Sequence, residues 1–228
     1  FSIFATWFGA ETIVGSAGRA YREGISLASA EPFGYGLCLF LTGLVFAAPL
    51  WRRKLTTLAD LYRQRFSVAA ERVAAIVLIP GSIYWAAAQI RAFGHVISAS
   101  TSAVDAEIAI AIAAGFTIAY AMFGGMLVDA ITDVIQGIVL VMGLAVVFVF
   151  VLPHIGDAAA SAAPRVQLLP ATGESTWALV ERWAIPIGGS VLATELVARL
   201  LAARSVVVAQ RSAIMAAVLY IGVGSIPL

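Results

Sequence analysis

The sequence has 228 residues, of which 61% are hydrophobic and only 12% are charged, and its mean hydropathy is +0.97. Soluble domains carry about 25% charged residues, so this composition predicts a protein that crosses the lipid bilayer several times. The formal net charge of +1 offers no broad basic surface, which argues against nucleic-acid binding. A single cysteine, Cys38, excludes a disulfide framework and a cysteine metal site.

Apolar runs of about 20 residues, the length of a membrane-spanning helix, recur along the whole chain. The alternating pattern of a membrane β-barrel is not seen, so helices are expected to satisfy the backbone in lipid. We predict an all-α, polytopic transmembrane bundle of about seven helices, at residues 1–21, 33–51, 71–98, 107–123, 126–152, 175–199 and 211–228. Because both ends lie in apolar runs, we expect the chain to be part of a longer polypeptide.

Lysine and arginine concentrate in two intervals, residues 52–72 and 199–211. Cytoplasmic loops carry an excess of these residues, so both intervals are predicted to be cytoplasmic in a multi-pass protein of the inner or plasma membrane. The helix count independently places the two intervals on the same side. Within the first of them, TLADLYRQRF (57–66) has the start and apolar spacing of a short amphipathic helix at the membrane surface.

The first apolar run contains ATWFGAETIVGSAG (5–18), with Glu11 among three glycines, Gly9, Gly15 and Gly18. An ionised carboxylate in mid-membrane costs about 2 to 4 kcal/mol, so Glu11 is expected to have a partner or a role. A helix broken here would free backbone carbonyls for an ion or a polar solute. Alternatively the glycines permit close helix packing around a hydrogen-bonded Glu11, or Glu11 carries a proton.

Polar side chains also interrupt the later apolar runs. On the predicted fifth helix, Asp129, Asp133 and Gln136 share one helical face. The helix dipole is sufficient to explain Asp129, whereas the deeper Asp133 has an oxygen ligand to offer a departing cation. On the third helix, Gln89, Arg91 and His95 stand in a run otherwise suited to lipid.

The sixth helix carries Thr194, Glu195 and Arg199 after Pro186 and the glycine pair 188–189. Glu195 and Arg199 are four residues apart and could form an ion pair within the helix. Alternatively, Thr194 and Glu195 face a solute. Metalloprotease, phosphate-loop and nucleophile-elbow signatures are missing from the sequence, so we expect a protein that is not an enzyme.

Four stretches together resemble the sodium:solute symporter family: ATWFGAETIVGSAGRAYREGI, TLADLYRQRF, GGMLVDAITDVIQGIVLVMG and ELVARLLAARS. The resemblance implies an inverted-repeat fold of five plus five helices, in which the first helix of each repeat is unwound. Residues 1–152 would then form the first repeat, residues 153–174 an extracellular or periplasmic loop, and residues 175–228 the start of an incomplete second repeat.

The resemblance also implies site residues. A co-transported sodium ion would be bound by the backbone carbonyls of Ala10 and Ile13, and Asp133 would lie on the sodium pathway. The solute would be bordered by a second set of residues, Glu11, Gly15, Thr194 and Glu195. Because the family completes its sodium site on a later helix, we do not expect residues 1–228 alone to transport.

The function predicted from the sequence is sodium-coupled symport of a small polar or anionic solute. Two alternatives remain open: a membrane sensor or receptor with the same fold, and a proton-coupled carrier that uses Glu11. A channel is disfavoured because no filter-like loop is seen.

Overall fold

The computed structural model describes residues 1–26, 30–101, 104–154, 166–167 and 175–227. This part of the chain is almost entirely helical, which confirms the prediction of an all-α polytopic bundle. Five of its helical segments are long and apolar enough to cross a membrane: Phe33–Arg52, Val68–Ser100, Gly124–His154, Thr176–Leu201 and Val206–Gly224. A shorter apolar helix, Ala106–Ala119, precedes the third of these segments.

The first apolar run forms two short helices, α1 (Ser2–Trp7) and α2 (Ala10–Glu23). Between them Gly9 is extended, with φ −101° and ψ −178°. The helix resumes at once, because the N–H groups of Thr12 and Ile13 donate to the Gly9 carbonyl at 3.1 and 3.3 Å. The predicted break is therefore present but shorter than expected, being limited to residues 8–9 instead of extending through residues 5–18.

The second run comprises α3 (Phe33–Leu41), a π-helical turn (Thr42–Phe46) and α4 (Ala47–Arg52). The predicted short helix follows as α5 (Leu58–Arg65). Asp60 caps it, since its Oδ2 accepts the backbone N–H groups of Thr56 and Thr57 at 2.8 and 2.9 Å. These bonds lower the pKa of the Asp60 carboxyl, because they favour its charged form.

Two long helices come next, α6 (Val68–Ser100) and α7 (Ala106–Val151), and a short 3₁₀ turn (Leu152–His154) ends the second. The backbone of α7 leaves the helical conformation at Gly125, where φ is +56° and ψ is −170°. Glycine adopts this positive φ without a steric cost. The kink separates the two helices predicted at 107–123 and 126–152.

The sixth predicted helix is also broken. It consists of α8 (Thr176–Ala184), a π-helical turn (Ile185–Gly189), the irregular segment 190–193 and α9 (Thr194–Leu201). The seventh helix, α10 (Val206–Gly224), begins five residues earlier than the predicted 211, because the Ser205 side chain caps it by accepting the Val208 N–H at 3.3 Å.

Two short strands, which the sequence did not predict, join the end of α2 to the long connection after α7. Strand β1 (Ile25–Ser26) pairs in parallel with β2 (Val166–Gln167), and Ile25 lies opposite Val166. The pairing places the end of α2 and part of the 153–174 connection on the same side of the bundle.

Small residues bring α10 close to the second span. A Cβ atom added to Gly43 would lie 3.0 Å from the Gln210 carbonyl oxygen and 3.1 Å from the Ile214 nitrogen. The facing side of α10 is a row of buried alanines, Ala209, Ala213, Ala216 and Ala217. Small residues allow such close contact between membrane helices, and here the contact holds Tyr220 of α10 against the break in the first helix.

Candidate functional site

A cavity of about 180 Å³ lies where the two broken helices meet. Gly9 from the first break and Ser190 and Ala193 from the second line it. The remaining lining residues come from both sides of these breaks and from the neighbouring helices: Thr6, Trp7, Thr12, Glu31, Tyr35, Trp85, Gln89, Glu195 and Tyr220. The cavity therefore lies at backbone that is not held in regular helix.

Four of the lining side chains are aromatic, and they come from four different helices. Trp7 and Tyr35 meet edge to face at 5.7 Å and 82°, and Tyr35 and Tyr220 are 6.1 Å apart. Tyr220 is only 1% exposed, and its hydroxyl is 2.9 Å from the Thr12 hydroxyl. Trp85 of α6 completes the aromatic group. The ring contacts and the hydroxyl contact hold Trp7, Tyr35 and Tyr220 in place around a cavity whose lining also includes polar side chains.

Two carboxylates reach the same cavity. Glu31 is paired with Arg19 of α2. Glu195 Oε1 accepts the Thr194 hydroxyl at 3.0 Å, and the Thr194 hydroxyl lies 2.9 Å from that of Ser82 on α6. The Ser82 contact holds Thr194 in place beside Glu195. The cavity is thus both aromatic and acidic.

Gln89 of α6 lies against the first break. A Cβ atom at Gly9 would come within 2.8 Å of the Gln89 Oε1 atom, so the Gln89 amide would have to shift to accommodate a larger residue. The sequence identified Gln89 as a polar residue out of place in an apolar run, and the structure puts it in the cavity wall. Arg91 and His95 of the same helix are elsewhere: Arg91 Nε donates to His95 Nε2 at 3.5 Å among exposed residues.

The residues predicted to bind sodium and solute are placed as follows. Ala10, Glu11 and Ile13 lie in the first turn of α2, directly after the break. The side chain of Glu11 lies outside the part of the chain that the structure describes. Gly15 is one turn further on and is not among the cavity residues, and within the described part of the chain nothing lies within 4 Å of the position its Cβ would take.

Arg199 does not pair with Glu195 within its own helix, which was one of the two alternatives for these residues. Its Nη2 atom lies 2.6 Å from Asp129 Oδ2 and 2.8 Å from Asp133 Oδ2. Asp129 is therefore part of an ion pair between helices, which the helix dipole alone did not predict. Glu195 is left facing the cavity.

Sequence reasoning did not identify Trp7, Tyr35, Trp85, Tyr220 or Glu31 as site residues. Aromatic residues are common in membrane helices, and the four aromatic residues of the cavity are spread over more than 200 residues of chain. The sequence did contain an indication of this site, because Gly9 lies at the break and lines the same cavity as the four aromatic side chains.

Comparison with known proteins agrees with this architecture. Residues 1–225 match the sodium:solute symporter family, whose name specifies sodium as the ion its members co-transport. High affinity choline transporter 1 of Homo sapiens is 36% identical over 158 residues, 68% of this chain and 27% of that protein. The corresponding transporter of Torpedo marmorata is 32% identical over 179 residues, 76% of this chain and 30% of that protein.

The Drosophila melanogaster transporter of the same name is 32% identical over 162 residues, covering 69% of this chain and 26% of that protein. The chain thus spans less than a third of the length of these curated relatives, all of which are transporters. The family match extends through both helix breaks and the cavity between them. The chain belongs to the sodium:solute symporter family.

Proposed function

We propose that this chain forms the solute-binding part of a sodium-coupled symporter for a choline-like quaternary ammonium cation. The observation that carries the proposal is the cavity lined by Trp7, Tyr35, Trp85 and Tyr220. A quaternary ammonium has no N–H to donate, so the negative faces of aromatic rings are its most effective partners. Three relatives that carry the name of choline transporters support this choice.

The charge of the cavity supports a cation over an anion. Glu31 and Glu195 both line it. Because Arg19 offsets the charge of Glu31, the preference for a cation depends on Glu195, which Thr194 holds in place and which would repel an anionic solute and attract a choline-like cation. We therefore propose a cationic solute where the sequence predicted a polar or anionic one.

The coupling ion is proposed to bind at the first break. The carbonyls of Ala10 and Ile13, in the first turn of α2 directly after Gly9, are the proposed ligands, since broken helices of transporters present backbone oxygens to sodium. Glu11 and Gly15 remain proposed contacts in the same helix, and Asp133 a proposed residue of the sodium pathway. An ion that organises the Gly9 segment also shapes the cavity that Gly9 lines, which couples its binding to that of the solute.

The larger arrangement is part of the same proposal. Residues 1–152 form one repeat, residues 153–174 an outer connection, and residues 175–228 the start of a second repeat. The two breaks, at residues 8–9 and 190–193, are then equivalent positions of the two repeats. The basic intervals 52–72 and 199–211 face the cytoplasm.

The test is uptake of labelled choline by vesicles that contain the native polypeptide carrying this sequence. We expect uptake that requires an inward sodium gradient and is inhibited by tetramethylammonium. Proline and a sugar serve as controls and are expected not to compete. Uptake driven by a pH gradient without sodium would refute sodium coupling, and inhibition by a neutral or anionic solute in place of tetramethylammonium would refute the cationic cavity.

A further inference from the structure

Helix α6 borders the cavity with one face that carries polar residues. Ser82, Trp85 and Gln89 are spaced by three and four residues, so they lie on the same face of the helix. Trp85 and Gln89 line the cavity. Ser82 lies about one turn before Trp85, and its hydroxyl contacts that of Thr194, the first residue of α9. The face of α6 that borders the cavity therefore also reaches the second helix break.

The hydroxyl groups of Ser82 and Thr194 form two consecutive hydrogen bonds that end on a carboxylate. Thr194 donates its hydroxyl proton to Glu195 Oε1 at 3.0 Å. A threonine hydroxyl has a single proton to donate, so Thr194 accepts at its 2.9 Å contact with Ser82, and Ser82 donates. We call Ser82, Thr194 and Glu195 the Ser82 relay. It connects α6 to the carboxylate of the cavity.

The position of Thr194 explains why a contact from another helix matters. Thr194 stands where the irregular segment 190–193 ends and α9 begins. Arg199, which is four residues after Glu195, pairs with Asp129 and Asp133 of α7. The hydrogen bond from Thr194 therefore holds the Glu195 carboxylate, and the bond from Ser82 ties Thr194 to α6.

Glu195 lines the cavity, whereas Ser82 acts on it only through Thr194. A side chain that is already oriented before a ligand arrives loses less conformational freedom on binding, which favours affinity. An oriented carboxylate favours a cation in particular, because the attraction between charges depends on their separation.

We propose that Ser82 is a positioning residue for charge selectivity: through Thr194 it holds the Glu195 carboxylate toward the cavity and so sets the preference of the site for a cationic over a neutral solute. The inference rests on the proposed function, since it concerns the same cavity. Loss of the Ser82 hydroxyl frees Thr194 to turn away, and Glu195 then loses its fixed orientation.

The experiment measures equilibrium binding to the native polypeptide that carries this sequence. The two ligands are labelled choline and its neutral analogue, in which carbon replaces the ammonium nitrogen. We expect Ser82→Ala to raise the Kd of choline about 3- to 10-fold and to change the Kd of the neutral analogue less than about twofold. Equal losses for the two ligands would overturn the proposal, since they would indicate a general disturbance of the cavity.

The matched control is Ser98→Ala on the same helix. The Ser98 hydroxyl donates to the His95 carbonyl of its own helix at 3.0 Å, among exposed residues, so its loss should leave both Kd values unchanged. Ser82→Thr keeps the hydroxyl and should retain most of the preference for choline. If Ser82→Ala does not fold, as judged by thermal unfolding, Thr194→Val removes the middle of the relay and decides by the same criterion.

A double variant tests whether Ser82 acts through the charge. Glu195→Gln removes the carboxylate, so adding Ser82→Ala to it should change the Kd of choline less than about twofold further. The same 3- to 10-fold loss in the Glu195→Gln background would overturn the proposal, because Ser82 would then act by another route.

A second measurement needs no solute. A water-soluble carbodiimide modifies carboxylates, and mass spectrometry of the peptide reports its rate at Glu195. We expect Ser82→Ala to raise this rate about threefold or more, because the carboxylate oxygen is no longer held, and Ser98→Ala to leave it unchanged. Equal rates in the two variants would overturn the role of Ser82. A raised rate in a protein that binds no choline would refute only the proposed function, and choline binding that is the same in Ser82→Ala and the parent would refute only this inference.

Discussion

The aromatic cavity makes a quantitative prediction about Trp7. This side chain ends α1 and stands edge to face with Tyr35 at 5.7 Å. A cation over an indole ring gains from about 0.5 kcal/mol at an exposed site to about 2 kcal/mol when desolvated. Trp7 is partly buried, so Trp7→Leu should weaken choline binding by about 1 to 2 kcal/mol, or about 5- to 30-fold in Kd.

The loss of the Trp7–Tyr35 ring contact adds a separate cost to folding, of about 0.5–1.5 kcal/mol. Affinity and stability must therefore be measured independently, by equilibrium binding of labelled choline and by thermal unfolding in detergent. Trp177→Leu is the matched control, because this indole is 81% exposed on α8 and outside the cavity. Its Kd for choline should not change.

A neutral analogue of choline, with carbon in place of nitrogen, distinguishes charge recognition from apolar contact. If Trp7 recognises the positive charge, Trp7→Leu should weaken choline binding and leave binding of the neutral analogue much less affected. Trp7→Phe keeps an aromatic ring face and should therefore retain most of the preference for choline over the neutral analogue. Equal losses for choline and its neutral analogue would refute the cation–π argument and leave Trp7 as apolar surface only.

Gly43→Ala should lower the unfolding temperature, at a cost of about 1–3 kcal/mol from overpacking, because its Cβ would meet backbone of α10. Gly81→Ala should not, because no described residue comes within 4 Å of its Cβ position. Asp60→Asn should destabilise α5 near neutral pH, as seen by amide exchange. The pKa of the Asp60 carboxyl is lowered in the folded protein, so this carboxylate stabilises α5 fully above its ordinary pKa, and that stabilisation is lost as the pH falls through the lowered pKa. The difference in amide exchange between Asp60→Asn and the parent protein should therefore vanish in acid. Tyr220→Phe and Thr12→Val should each lower the free energy of unfolding by about 1 kcal/mol. The double variant should lose less than the sum of the two, because the two hydroxyls share one hydrogen bond.

Features that depend on neighbours in sequence could be predicted without the fold. The length of each apolar run determines where the spanning helices lie, since each must match the thickness of the bilayer. The capped helix α5 follows from Thr57 and Asp60, which are three residues apart. The spacing of Asp129 and Asp133 placed both carboxylates on one face of α7, and both indeed reach the same arginine.

Features that depend on distant parts of the chain needed the tertiary structure. Glu195 and Arg199 are suitably spaced for a pair within α9, yet Arg199 turns to two carboxylates of α7 that are shielded from water. The break in the first helix lasts only two residues, because the carbonyl of Gly9 is taken up immediately by the next turn.

The aromatic cavity is the clearest case of a site decided by the fold. Trp7, Tyr35, Trp85 and Tyr220 belong to four helices, and no local pattern marks them as partners. Composition and periodicity determined that this chain lies in a membrane and where five of the seven predicted helices are long enough to cross it, because both follow from the cost of exposing backbone to lipid. Which side chains surround the cavity was decided by helix packing, because contacts between residues far apart in sequence form only when the small faces of the helices come together.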